Sequence, residues 1–256
     1  MIRFKFLICV ALFLTGAPKT FGQDFPDLSD NILVCTRGAL PYYISCDGST
    51  CQEEFFYTDG NIMARGKCKE GKKTGMWSAY YDKIDKIMSQ GIIKEGLLYG
   101  DWVFYYENGN KKAEGEFRKG QFELGCSGSG KFDAASIMNG KWTFWNEDGS
   151  INIVCRFSPN NYKEGILNGK FTKWYGNGQK KEEGIYHNGM KNGIWTYWYS
   201  NGQKQKEEYY TYKDRGLYDY LWYECPTGTW IYWKENGNLL KKEIYKEGAI
   251  AEVINY

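Results

Sequence analysis

One ten-residue phrase recurs along the chain, and a chain built on such a repeat has few folds open to it. Gly100-Asp-Trp102-Val-Phe-Tyr-Tyr-Glu-Asn-Gly109 returns as Gly193-Ile-Trp195-Thr-Tyr-Trp-Tyr-Ser-Asn-Gly202 and as Gly228-Thr-Trp230-Ile-Tyr-Trp-Lys-Glu-Asn-Gly237. Gly140-Lys-Trp142 through Gly149 is a fourth copy, and Gly169-Lys-Phe171 through Gly178 a fifth with Phe for Trp. Gly75-Met-Trp77 opens another copy whose turn, near Ile84, is degenerate, and Phe55 to Gly60 is a half-copy. A second phrase follows each turn, as in Lys111-Lys-Ala-Glu-Gly115-Glu-Phe117 and Lys180-Lys-Glu-Glu-Gly184-Ile-Tyr186. The shortest periods are 25 residues, Trp77 to Trp102, and 24, Phe171 to Trp195. Longer steps mark insertions near 126–135, 158–162 and 214–225.

Each unit reads as a β-hairpin. The outgoing phrase alternates with period two, Trp102 and Phe104 on one face and Val103 and Tyr105 on the other. Gly109, Gly149, Gly178, Gly202 and Gly237 close Asn-Gly or Asp-Gly pairs, which predict type I′ turns. The return strand carries charges on one face and Phe117, Phe157, Tyr186, Tyr210 or Tyr245 on the other. Gly66, Gly115 and Gly184 stand six residues after the turn glycine, where a bulge or the close approach of an aromatic is expected. Cys155 takes that slot in its own repeat, and Cys68 takes the aromatic slot of the first. A lone hairpin is unstable in water, so neighbours must stack and bury Trp77, Trp102, Trp142, Phe171, Trp195 and Trp230 between them. The expected fold is all-β: an elongated, single-layer antiparallel sheet whose length grows with repeat number. Ten Trp, 22 Tyr and 14 Phe, 18% of the chain, with 31 Gly and 5 Pro, suit strands and tight turns.

The pattern Gly-x-Trp-x-x-Tyr/Trp-Tyr-x-Asn-Gly, followed by Lys-Lys-x-Glu-x-x-Tyr-x-x-Gly, resembles the MORN repeat in its bacterial variant form. The resemblance covers six units and the half-copy, from Phe55 to Tyr256. It implies stacked MORN-type hairpins and a protein that acts by binding. Bacterial proteins of this kind often carry the label of a toxin–antitoxin system antitoxin, which implies an inhibitor. Eukaryotic MORN arrays imply scaffolding and contact with membrane lipid.

The N-terminus sets the compartment. Arg3 and Lys5 precede an apolar run from Phe6 to Leu14 and a small-residue region, the order of a secretory signal peptide cleaved after Gly22 or Gln23. Three segments are expected: 1–23 a signal peptide, 24–54 a cysteine-containing cap, 55–256 the repeat array. The product is exported, to the periplasm, the outer cell surface or the medium. Loss of Arg3, Lys5 and Lys19 turns 33 basic residues into 30 against 31 acidic ones. That balance argues against nucleic acid and leaves membrane association weak or absent. Seven cysteines remain, four of them between 35 and 68, and export makes disulfides plausible. Seven is odd, so at least one thiol stays free or pairs between chains. Without a Cys-x-x-Cys pair and with one histidine, no metal site and no cofactor are expected.

The candidate binding residues are Trp145, Trp174, Trp198 and Trp233, which share one register with Tyr80 and Tyr105 before them. They form either an aromatic groove for a glycan or extended peptide, or structural packing on one sheet face. Gly125 to Lys131 nearly matches a phosphate loop, but Phe132 stands where Ser or Thr would hold a metal ion, so it reads as an insertion. His187 reads as a turn residue, and Glu182, Glu183, Glu207 and Glu208 as cross-strand charge pairs with lysines. No catalytic set emerges. The expected function is a non-enzymatic, exported module that binds a protein partner. The alternatives are glycan binding on the Trp ladder, an antitoxin-like inhibitor, a lipid-contacting protein, and a hydrolase, kept only because Asp and Glu are plentiful.

Overall fold

The computed structural model describes residues 42–47, 49–123, 132–159, 165–214 and 222–256, with side chains over 49–119, 137–158, 165–211 and 224–256. The segment expected to be a signal peptide, Cys35, Cys126 and the near-phosphate loop lie outside the described residues.

All described regular structure is β-strand, and every described pairing is antiparallel. Two compact units divide the chain: Met1–Lys111 with Phe117–Ile137, and Lys112–Glu116 with Met138–Tyr256. The first contains β1 (Tyr42–Asp47), β2 (Thr50–Phe56), β3 (Ile62–Lys69), β4 (Lys72–Tyr80), β5 (Ile87–Lys94) and β6 (Leu97–Tyr105). Each pairs with the next in sequence. The strands β7 (Lys111–Glu123) and β8 (Phe132–Trp145) are divided between the units. The second unit continues with β9 (Ile151–Pro159), β10 (Gly165–Leu167), β11 (Gly169–Trp174), β12 (Lys180–His187), β13 (Met190–Trp198) and β14 (Lys204–Asp214). It ends with β15 (Trp222–Pro226), β16 (Gly228–Trp233), β17 (Leu239–Lys246) and β18 (Ala249–Asn255). Within it β9 pairs with both β10 and β11, and β14 with both β15 and β16. Each doubling stands beside one of the predicted insertions.

The turns sit where the Asn-Gly and Asp-Gly pairs place them, but their type differs from expectation. A type I′ turn needs positive φ at two residues. At 106–110 only Gly109 has it, at +93°. Gly109 N–H donates to Tyr106 O and Tyr106 N–H to Asn110 O, while Asn108 Oδ1 accepts from Asn110 N–H. This is a type I turn followed by a left-handed glycine, with the Asn side chain mimicking one more turn. The same bonds recur at Gly149, Gly178, Gly202 and Gly237. The pairs with two positive φ values lie at the opposite strand ends: Glu70-Gly71, Glu95-Gly96, Asn188-Gly189 and Glu247-Gly248. Of these, the Asn188-Gly189 turn beside His187 is expected from the sequence, while Glu-Gly is not a strong turn signal.

The leading Gly-x-Trp has a mechanical role. Gly66 stands opposite Trp77 and Lys67 opposite Thr74, so Gly75 and Met76 are extra residues on β4. Gly75, at φ +70°, makes this bulge and turns Trp77 back over the neighbouring strand. There the indole covers Gly66 so closely that a Cβ would lie 2.3 Å from it. Gly91 meets Trp102, Gly115 meets Trp142 and Gly184 meets Trp195 in the same way, each with a built Cβ at 2.2–2.3 Å. Gly91 belongs to this set but falls in the repeat with the degenerate turn, and so was not among the glycines picked out by counting from a turn.

The indole N–H is satisfied by the residue after the slot. Trp77 donates to Lys67 O, Trp102 to Ile92 O, Trp142 to Glu116 O, Trp195 to Ile185 O and Trp230 to Tyr209 O, at 2.9–3.2 Å. Packing and hydrogen bonding therefore fix the same ring. The outgoing +2 aromatic and the return-strand aromatic close around it: Trp102 lies 6.0 Å from Phe104 and 6.4 Å from Phe117, and Trp195 lies 4.7 Å from Tyr186. Trp77, Trp102, Trp142, Phe171, Trp195 and Trp230 are all buried, as the repeat requires.

Candidate functional site

Alternation along the strands separates this buried face from an outer face. On the outer face stand Trp145, Trp174, Trp198 and Trp233, each half-buried. The ladder is not a row of open rings. Lys180, opposite Trp174 in the β11–β12 pairing, brings Nζ to 5.6 Å from the Trp198 ring. Lys204, opposite Trp198, brings Nζ to 5.7 Å from the Trp233 ring. Lysines thus alternate with the indoles at cation–π distance. Both are also paired with carboxylates, Lys180 with Glu183 at 3.1 Å and Lys204 with Glu207 at 2.5 Å.

The backbone of the ladder is tied from the preceding turn. Tyr175 Oη donates to Trp198 O, Tyr199 Oη to Trp233 O, Tyr57 Oη to Tyr80 O and Tyr81 Oη to Tyr105 O. Asn177 and Asn201 donate from Nδ2 to Ser200 O and Glu235 O. Burial, then the nearby Glu182, pushes the Tyr175 phenol up, which keeps it a donor.

Further along the strands, the outer face exposes large apolar side chains. In the first unit Met76 faces Ile92, and Ile92 faces Tyr99, all exposed. In the second, Ile194 faces Tyr209, with Ile185 exposed nearby in the chain order of strands. Ile194 is 61% exposed while its neighbour Trp195 is 0%.

The acidic residues divide between the faces. Glu183 and Glu207 lie outside: Glu183 pairs across strands with Lys170 and along its own strand with Lys180, and Glu207 pairs with Lys204 along its own strand instead of across strands. Glu208 differs from expectation: it occupies the slot that glycine holds in other repeats and is buried. Its carboxylate accepts from Lys206 at 2.5 Å and from Tyr210 Oη at 3.0 Å. Glu243 repeats the constellation, accepting from Lys241 at 2.6 Å, Tyr232 at 2.8 Å and Tyr245 at 3.1 Å. Burial disfavours the Glu243 anion, but its three hydrogen bonds and the Lys241 charge outweigh that and hold it below the usual carboxylate range. Burial and Glu243 push the Tyr245 phenol up to about 12. These carboxylates are committed to their own lysines and tyrosines. His187 ends β12 beside the Asn188-Gly189 turn.

Cys155 fills the slot between Trp142 and Phe171, and burial pushes its thiol up. Phe171 follows the Cys155 slot, whereas the Glu208 slot, which also carries a side chain, is followed by Trp230. Cys68, Cys155 and Cys225 are buried free thiols.

Comparison with known proteins agrees with the repeat geometry. Four segments, 98–119, 167–188, 191–212 and 226–247, match the MORN repeat variant. No curated protein matches the chain. A solved Tc holotoxin pore from Photorhabdus luminescens aligns with 81% of this chain and 11% of its own, at 11% identity and a TM-score of 0.23. Each matched segment begins four residues before a buried aromatic, Trp102, Phe171, Trp195 or Trp230, and ends just past the return aromatic; the chain carries the MORN repeat variant as its building unit.

Proposed function

We propose that the protein is an exported, non-enzymatic scaffold that binds a protein partner through its outer face. The observation that carries this reading is the contrast within each strand: Trp195 is wholly buried while Ile194, one residue away, is 61% exposed, opposite the exposed Tyr209. Contiguous exposed apolar side chains on a strand surface mark interaction sites. The buried carboxylates support a structural role for themselves, since each has its hydrogen-bond partners within the fold.

The test is capture from an envelope extract with the chain starting at Asp24, beside an Ile185→Glu/Ile194→Glu variant. A protein retained by the first and lost by the second, at equal thermal stability, is the expected result. Retention of polysaccharide alone would defeat the reading.

Glycan binding is the second reading, favoured by the half-buried indoles of Trp145, Trp174, Trp198 and Trp233 on the outer face. It predicts that Trp198→Ala lowers affinity for a soluble polysaccharide and leaves protein capture unchanged.

A further inference from the structure

The first three strands place three cysteines in one row. Cys46 of β1 stands opposite Cys51 of β2, and Cys51 stands opposite Cys68 of β3. Cys51 is disulfide-bonded, whereas Cys68 is a free thiol, 3% exposed.

The phase of the ladder fixes the spacing. Glu70 N–H donates to Ser49 O at 3.0 Å, and these residues lie two positions from the Cys51–Cys68 pair. Cys51 and Cys68 therefore form a hydrogen-bonded pair, with Cα atoms roughly 5.5 Å apart, and Cys46 and Cys51 a non-hydrogen-bonded pair at roughly 4.5 Å. Both spacings fall within the range of about 4.4–6.8 Å that a disulfide bridges. Cys51 can thus bond to either neighbour without moving a strand.

The surroundings supply a proton acceptor. Glu53, buried on β2 at the position where complete repeats carry Trp, hydrogen-bonds the Cys68 thiol. Burial and this carboxylate push the Cys68 thiol up, so at rest it holds its proton. Lys73 stands opposite Cys68 on β4.

We propose that these residues form a disulfide relay in which Cys68 displaces the thiolate joined to Cys51. Glu53 takes the Cys68 proton. Cys68 Sγ attacks Cys51 Sγ, the Cys51–Cys68 bond forms, and the bond from Cys51 to its former partner breaks. That former partner leaves as a thiolate and takes up the proton. One disulfide is present before and after, so no oxidant or reductant is consumed. The covalent tie passes to β2–β3, stapling that hairpin and releasing the former partner of Cys51. Burial excludes external thiols from Cys68, so the neighbouring strand is the reagent the geometry favours.

The proposal stands apart from the binding reading and is tested without a partner. The chain from Asp24, purified without reductant, is incubated, acid-quenched at intervals, alkylated and digested, and its disulfides are mapped by mass spectrometry. The expected result is two interconverting isomers, one with Cys51–Cys68 and one with Cys51 on its other partner and Cys68 as the thiol. Glu53→Gln should leave both isomers and slow their interconversion on the order of a hundred-fold. Cys68→Ser should leave one isomer. If Cys68 of the folded wild-type chain is alkylated in every molecule at every time, the relay is wrong, whatever the variants do. A rate unchanged in Glu53→Gln removes Glu53 as the proton acceptor.

Discussion

At the scale of the residue, one contact explains most of the repeat. The ring of Trp195 lies where a Cβ on Gly184 would have to be, 2.3 Å away. Gly184→Ala should therefore destabilise the protein by about 1–3 kcal/mol, the cost of overpacking a filled core, read as a shift in denaturation midpoint at unchanged slope. Position 155 holds the natural experiment. Its slot carries Cys, and the following aromatic is Phe171 instead of Trp. Phe171→Trp alone should destabilise. Combined with Cys155→Gly it should lose less than the sum of the two changes, by about 0.5–3 kcal/mol in a double-mutant cycle. Strict additivity would mean that the two positions do not share space. A residue count cannot reveal this coupling, because in the sequence the two side chains are sixteen positions apart.

At the scale of the element, hairpins are joined by side chains that reach the next hairpin. Tyr199 donates to Trp233 O at 3.0 Å, and Tyr199→Phe should cost about 1 kcal/mol by removing that bond. The Glu243 network has a pH signature. Its folded carboxylate titrates below the ordinary value, so it contributes stability above the unfolded pKa and loses it as pH falls through the folded one. Tyr245 has the opposite sign. Its folded pKa, about 12, exceeds the unfolded value of 10.0, so its contribution is complete below pH 10 and lost between about 10 and 12. Unfolding midpoints measured across pH should fall at both ends. Glu243→Gln should flatten the acid limb and reduce stability at neutral pH, because a neutral amide replaces an anion that accepts from Lys241.

At the scale of the whole molecule, the repeat makes stability a matter of neighbours. Strands pair with those next to them in sequence, or one further on beside an insertion. A lesion in one hairpin should therefore stay local. Gly184→Ala should raise amide exchange in β11 to β14 and leave β2 to β5 unchanged by mass spectrometry. Uniform loss of protection across the described strands would contradict this and indicate a single cooperative unit. The outer face predicts the converse. Ile185→Glu/Ile194→Glu should leave exchange and thermal midpoint nearly unchanged, since both side chains already face solvent.

The sequence by itself determined the strands, the positions of the Asn-Gly turns and the face on which Trp77, Trp102, Trp142, Phe171, Trp195 and Trp230 are buried. Those follow from local rules: a period of two, a turn residue with little steric penalty, an aromatic too large to leave in water. The tertiary structure decided what depends on the neighbouring strand. It set which turns are type I′: both positive φ values fall in the two-residue loops Glu70-Gly71, Glu95-Gly96, Asn188-Gly189 and Glu247-Gly248. It made Gly91 a close-contact glycine through Trp102, and moved Glu208 from the charged outer surface into a buried slot. It interleaved Lys180 and Lys204 with the indoles that sequence reading set out as a bare ladder. It also set Cys68 beside Cys51, a pairing that follows from the register of β2 on β3. In each case the deciding contact joins residues on different strands, and register across strands follows from packing and turn geometry together.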